Sequence, residues 1–269
     1  MHIILAVTAT HDRFLLPAPE NGRRSLAEAY HGAQGAGLLS EKLSSPILYE
    51  DRDALWSSAA MLGIACMTSI EASTPAEAWP LKPDDPSDLD WLNMSVGKKA
   101  IWRATDPLRP DSIFHCMADE YGELMKRPYL REVEDILPGL AQLCSLDGPL
   151  TPNENPYYTA ASTISDLWPI SCTQESAMRH LGFLGFMKPE FRDLLRGKDP
   201  RALLIFAYWY ALFSDSMWFM ARRARLECQA ICIYLEKYHA DDIEIQWMLE
   251  MPKAKCGLDA QVPSLLLEH

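Results

Sequence analysis

The sequence lacks nearly every short signature that would name a reaction. It has no G-x-S-x-G elbow, no phosphate-cradling P-loop, no G-x-G-x-x-G dinucleotide fingerprint, and no H-E-x-x-H or H-x-x-x-H spacing. Serine hydrolysis, nucleotide use and nicotinamide chemistry therefore lose their usual support. Positive charge is also scarce: 25 Lys and Arg stand against 37 Asp and Glu, a formal net charge of -12. Most of such a surface repels a phosphate backbone, so direct nucleic-acid binding is not expected. Long apolar runs are missing too. The best candidate, 54–70, is 17 uncharged residues diluted by Ser57, Ser58, Thr68 and Ser69, short of the roughly 20 that span a bilayer. It reads as a core helix, and no membrane span is expected. The opening MHIILAVTATHDRFLL has no basic segment before its apolar stretch, and His11, Asp12 and Arg13 interrupt it, so it reads as a helix rather than a signal peptide.

No C-x-x-C pair occurs. The seven cysteines are odd in number, scattered and partly set in apolar runs, which suits reduced thiols in an intracellular protein of the nucleus or cytoplasm. Cys228 and Cys232, four apart, share a helix face. With no histidine or second cysteine pair near them in sequence they read as buried small residues, and neither a metal site nor a cofactor is expected.

What the chain does have is helical punctuation. Nineteen prolines leave proline-free windows at 20–45, 47–74, 87–106 and 201–251, of helix rather than strand length. Alternating β-branched runs around hairpin dipeptides are absent, and no internal repeat is visible, so the fold expected is all-α: a single irregular multi-helix bundle over residues 1–266. Residues 267–269 read as the remnant of an expression tag. Ser25 with Glu28 fits a capping box, Asp199-Pro200 an N-cap followed by proline at the first helical position, and Ser87 a cap for the stretch from Trp91 to Trp102. Further helices are expected near 51–72, 111–126, 130–146, 157–180 and 240–251. Met217, Ala221, Ala224, Cys228, Ile231 and Leu235 recur at spacings of four and three, while Arg222, Arg223, Arg225, Glu227 and Glu236 fall off that line, the pattern of one long amphipathic helix.

Three patterns bear on chemistry. Asp84, Asp85 and Asp88 spell the DDxxD of diphosphate-binding cyclases, but the flanking Pro83 and Pro86 deny them helical registration, so a solvated acidic loop is expected. His11 and Asp12 are adjacent and point about a hundred degrees apart on a helix, so they form no dyad with each other. The densest composition is Phe206, Tyr208, Trp209, Tyr210, Phe213, Trp218 and Phe219, with Met217 and Met220 beside them. Aromatics on more than one helix face bury against more than one layer, as a central core helix, or line an adaptable apolar pocket with polar tips such as Tyr210 or His11. On the pocket reading the ligand-binding set is His11, Trp56, Trp209, Tyr210, Phe213, Met217, Trp218 and Met220.

Several segments taken in order carry a resemblance: the opening MHIILAVTATH, Ala29-Tyr30-His31, Asp53-Ala54-Leu55, Ala78-Trp79-Pro80-Leu81, Ser87-Asp88-Leu89-Asp90-Trp91-Leu92 with Gly97, then Asp199-Pro200-Arg201-Ala202-Leu203 leading to Tyr208-Trp209-Tyr210 and Trp218. Together they resemble the C-terminal regulatory domain of fungal zinc-cluster transcription factors, especially the sterol-uptake-control type. The similarity spans nearly the whole chain in short hydrophobic patterns. It implies an all-helical domain that holds a sterol or similar polycyclic molecule in an apolar pocket and can form a homodimer. The family's late Trp-Pro ending is here Met251-Pro252 after Trp247, and the six-cysteine DNA-gripping cluster of such regulators has no counterpart in these residues. Met1 coincides with a methionine of the family pattern, inside an expected helix, which gives weight to a stand-alone product. Two functions follow from the sequence: a ligand-sensing effector domain controlling transcription or, as the alternative, a metal-independent cyclase, pericyclase or isomerase of a terpenoid or polyketide, acting by holding a reactive conformer.

Overall fold

Helix ends in the computed structural model, which describes residues 1–17, 23–121, 130–213 and 216–258, fall largely where caps and prolines put them. Every regular element among the described residues is helical, and the fold is all-α. The segment 267–269 lies outside the described residues. The chain divides into two compact units, Met1–Glu71 with Pro86–Arg127, and Ala72–Asp85 with Pro128–His269.

The first unit holds α1 (His2–Phe14), α2 (Leu26–Leu43), α3 (Arg52–Met67), α4 (Asp90–Thr105) and the single turn α5 (Ala118–Tyr121). The capping box forms as expected: the Glu28 N–H donates to Ser25 Oγ at 3.1 Å and the Ser25 N–H to Glu28 Oε2 at 2.7 Å. The same buried carboxylate accepts from Arg13 Nε at 3.0 Å, while another Arg13 nitrogen donates to the Thr68 carbonyl just past α3. One glutamate thus starts α2 and ties it to α1. Gly35 allows these helices to approach, since a Cβ there would stand 3.0 Å from Ile3. The pairs Ile3/Gly35 and Arg13/Glu28 run in opposite directions, so the two helices are antiparallel. Leu39, Leu55 and Ala59 form a buried cluster with Ile47, Leu62 and Ile101 against it.

Two expectations in this unit are corrected. Ser87 is not the cap of α4, whose N-cap position is Leu89 and makes no side-chain cap bond. The helix expected over 111–126 is a 3-10 turn at His115–Met117 followed by α5, with 122–129 outside the described residues. Asp53, one residue inside α3, claims this segment: it accepts from Ser112 Oγ at 2.8 Å, the Ile113 N–H at 3.1 Å and Arg109 at 2.9 Å. Partial burial pushes its carboxyl up, but the hydrogen bonds from Ser112, Ile113 and Arg109 outweigh this and hold it below its usual value. A depressed carboxylate contributes stability that is complete above its unfolded pKa, about 3.9, and that is lost as pH falls through the folded value. Acidifying from about pH 6 to about pH 3 is therefore expected to lower the thermal midpoint more in the wild type than in Asp53→Asn. Equal acid slopes for the two proteins would refute this role.

The second unit comprises α6 (Pro138–Leu143), α7 (Tyr158–Leu167), α8 (Ala177–Phe186), α9 (Pro189–Arg196), α10 (Pro200–Ala211), α11 (Trp218–Tyr238) and α12 (Ile243–Cys256). The helix expected over 130–146 shrinks to α6. Ahead of it, the Arg131 and Leu137 N–H groups donate to the hydroxyls of Ser162 and Ser165 on α7 at 2.6 and 2.9 Å rather than to helical carbonyls. The expected 157–180 helix breaks after Leu167, because Pro169 has no N–H to continue it. Conversely, α12 runs through Pro252 to Cys256, beyond the expected end at 251, and closes on Gly257 in the left-handed region. Between Pro189 and Gly197 the chain adds α9, which the sequence reading passed over.

Candidate functional site

Asp199 starts the central element of the second unit. Its carboxylate accepts the N–H groups of Arg201 and Ala202 at 3.1 and 2.9 Å, as the Asp-Pro pair predicts. From Ala202 to Ala211 every residue of α10 is buried, which leaves no face of the helix to solvent. The rings fill that space with one another. Trp209 meets Phe206 at 5.4 Å and Phe183 at 5.5 Å in stacked contacts and Phe213 edge-on at 5.0 Å, while Phe206 and Tyr210 approach to 4.5 Å. The Trp209 indole N–H donates to the His180 carbonyl at 2.9 Å. His180 is itself fully buried, its two ring nitrogens 2.9 and 3.1 Å from the carbonyls of Ser176 and Ile170, a structural rather than catalytic setting.

The polar end of this core belongs to Tyr210. Its hydroxyl donates to Glu227 on α11, and Glu227 pairs with Arg223 one turn earlier, all three buried. Burial and then the Glu227 charge push the Tyr210 phenol well above its ordinary value, so it stays a neutral donor. The sequence places Arg223 and Glu227 off the apolar line of α11, and that placement misleads: α11 is covered on more than one side, and the pair is carried inward to meet Tyr210. Off-face Tyr208 is accounted for as well, donating to the Met248 carbonyl at 3.0 Å and ringing Trp168 at 5.0 Å.

The expected ligand set is thus divided. Trp209, Tyr210, Phe213 and Met220 are buried in the second unit, where Met217 and Trp218 are half-buried. His11 and Trp56 belong to the first unit: His11 is exposed on α1, whereas Trp56 is buried edge-on against Trp102 at 4.7 Å. The acidic loop residues Asp84 and Asp85 are exposed and outside any helix, with Asp84 paired to Lys198 at 2.5 Å.

Two features are new. In the first unit a cleft of about 160 Å³ opens between α1, α2 and α3, bordered by His2, Ile3, Leu38, Lys42, Leu55 and Ser58. That volume suits a single ring, since apolar cavities of about 150 Å³ take up benzene, whereas pockets for larger ligands run to about 300 Å³ and beyond. In the second unit the sulfurs of Cys228, Cys232 and Cys256 all lie within 4.8 Å of one another. Hydrogen bonding with the other two thiols, then burial, pushes Cys228 well up. Cys232 is also raised: its bond with Cys228 lowers it, but its bond with Cys256 and burial outweigh that. Hydrogen bonds from Cys228 and Cys232 draw Cys256 down to about 4 against the opposing effect of burial. The four-residue spacing on α11 signals the first two of these residues. Nothing local signals the third, which arrives by the packing of α12 on α11.

No helix among the described residues is long and apolar enough to cross a membrane. Comparison with protein-family models, with curated proteins and with solved structures finds no match for this chain.

Proposed function

We propose that the chain is a ligand-responsive effector domain of the zinc-cluster regulator type, binding a hydrophobic polycyclic molecule and converting that binding into a conformational or monomer–homodimer shift. The observation that carries the reading is the position of the resembling residues in the helical framework. Asp53-Ala54-Leu55 falls at the start of α3, Trp91 and Leu92 are buried in the first turn of α4, Trp79 is buried edge-on against Phe206, and Asp199-Pro200 begins α10. Helix starts and core anchors are the positions a shared fold requires.

Half-buried Met217 and Trp218, at the start of α11, are the members of the expected ligand set in the second unit that are open to a guest. Because the rings of α10 pack on one another, a polycyclic guest gains room by displacing side chains. The binding energy is thereby coupled to helix arrangement, and about 1 to 3 kcal/mol of coupling suffices for a population shift. For association, α1 and α2, with Leu15 just past the end of α1, present Ile4, Leu5, Leu15, Leu26 and Tyr30 exposed, the kind of apolar surface that marks an interaction face.

Titration of the full chain with cholesterol and with a triterpenoid, followed by tryptophan fluorescence and native mass spectrometry, tests the proposal. A one-to-one adduct is expected, weakened about tenfold, or about 1.4 kcal/mol, in Trp218→Ala. Absence of binding by any polycyclic lipid overturns it.

A further inference from the structure

The thiols of Cys228, Cys232 and Cys256 form a donor set that neither the aromatic core nor the ligand reading uses. Cys228 and Cys232 stand one turn apart on α11, and Cys256 is the last residue of α12. All three are buried, and their sulfurs are mutually within 4.8 Å. The Cys228 sulfur is 3.4 Å from the Ala207 carbonyl oxygen and 3.8 Å from that of Pro252, and the Cys256 sulfur 3.4 Å from that of Lys253. Among the described residues, no histidine or carboxylate joins the group.

We propose that this cluster is a three-sulfur binding site for arsenite, a trivalent thiophilic oxyacid. The geometry suits a three-coordinate centre: trivalent arsenic keeps a lone pair and is pyramidal, so three bonds of about 2.3 Å, the length zinc makes to thiolate, at angles of about 100° set sulfur–sulfur edges of about 3.5 Å, and side-chain rotation need close the present spacing by at most about 1.3 Å. Coordination number and charge then select the ion. Zinc takes four ligands in closed sites, and the described residues supply three here. Three thiolates would leave a net charge of -1 around zinc and -2 around copper(I), in a buried place where carbonyl oxygens already turn their negative ends toward sulfur. Around trivalent arsenic the same three thiolates give a neutral complex.

The exchange needs no oxidant. Three As–O bonds break, three As–S bonds form, and the three hydroxyls leave as water. The thiols of Cys228, Cys232 and Cys256 supply the three protons, one to each departing hydroxyl, so atoms and charge balance. Arsenic remains trivalent throughout. Opening of the last turn of α12 offers a route of entry, since Cys256 ends that helix directly before Gly257.

The test uses the full chain with sodium arsenite, intact-mass spectrometry, and thiol alkylation in urea at a concentration that labels all seven cysteines of the untreated protein. The expected result is one arsenic per chain with loss of three hydrogens, protection of Cys228, Cys232 and Cys256 alone, and at least tenfold weaker uptake in Cys256→Ser. Cys116→Ser, which removes an exposed thiol, is expected to bind as the wild type does. If Cys256→Ser fails to fold, the protection map of the wild type decides by itself. The proposal falls if there is no uptake, if a folded Cys256→Ser binds undiminished, if other cysteines are the ones protected, or if equimolar zinc or copper(I) displaces arsenite from the three thiols.

Discussion

Trp209→Ala is expected to destabilise the second unit by about 3 to 5 kcal/mol, the range for truncating a large buried aromatic. Trp209 is fully buried, and its ring touches Phe183, Phe206, Tyr210 and Phe213 at centroid distances between 5.0 and 5.5 Å. The substitution deletes these contacts together with the hydrogen bond to the His180 carbonyl. Since whole domains are stable by only about 5 to 15 kcal/mol, a large shift of the urea midpoint should follow. Trp209→Phe keeps a ring in the stack but loses the N–H donor, and should cost less. Half-buried Trp218 is the control: Trp218→Ala should disturb ligand binding more than folding. If Trp209→Ala moved the urea midpoint no more than Trp218→Ala does, the stacked rings would not be the core of this unit.

Glu227→Ala should cost a similar amount, about 3 to 5 kcal/mol, for an electrostatic reason. Arg223 and Glu227 are both buried, and removing one partner of a buried pair takes from the other the opposite charge it faces there. It also takes the acceptor from the Tyr210 hydroxyl. Replacing the whole group by apolar residues of similar volume avoids both penalties, so the triple variant Tyr210→Phe, Arg223→Met, Glu227→Leu should recover most of the loss. The single costs should therefore fail to add, as they do for residues in one network. Denaturant titration of the singles and the triple checks this. A triple variant as unstable as the sum of its singles would show that the three residues act independently.

Much of the helical framework is legible in the sequence because helix termini are local events. Ser25 with Glu28 and Asp199 with Pro200 act within three residues of themselves, and both caps form as read. The 111–126 helix begins late and the 130–146 helix contracts where distant groups outcompete the helix for backbone N–H groups: Asp53 takes that of Ile113, and Ser162 and Ser165 take those of Arg131 and Leu137. The site is less legible. Apolar periodicity along α11 identifies one buried stripe, but it is silent on whether a second helix covers the flank that carries Arg223 and Glu227.

From its residues alone, this chain determines an all-α fold, the starts of α2 and α10, and an aromatic segment that must be buried, because propensity, capping and apolar content act over a turn or two of helix. Only the packing of α10, α11 and α12 on one another decided that Tyr210 meets a buried ion pair and that Cys256 joins Cys228 and Cys232. These encounters join residues 17 and 24 positions apart, and no spacing rule for a single helix reaches across the turn between two of them.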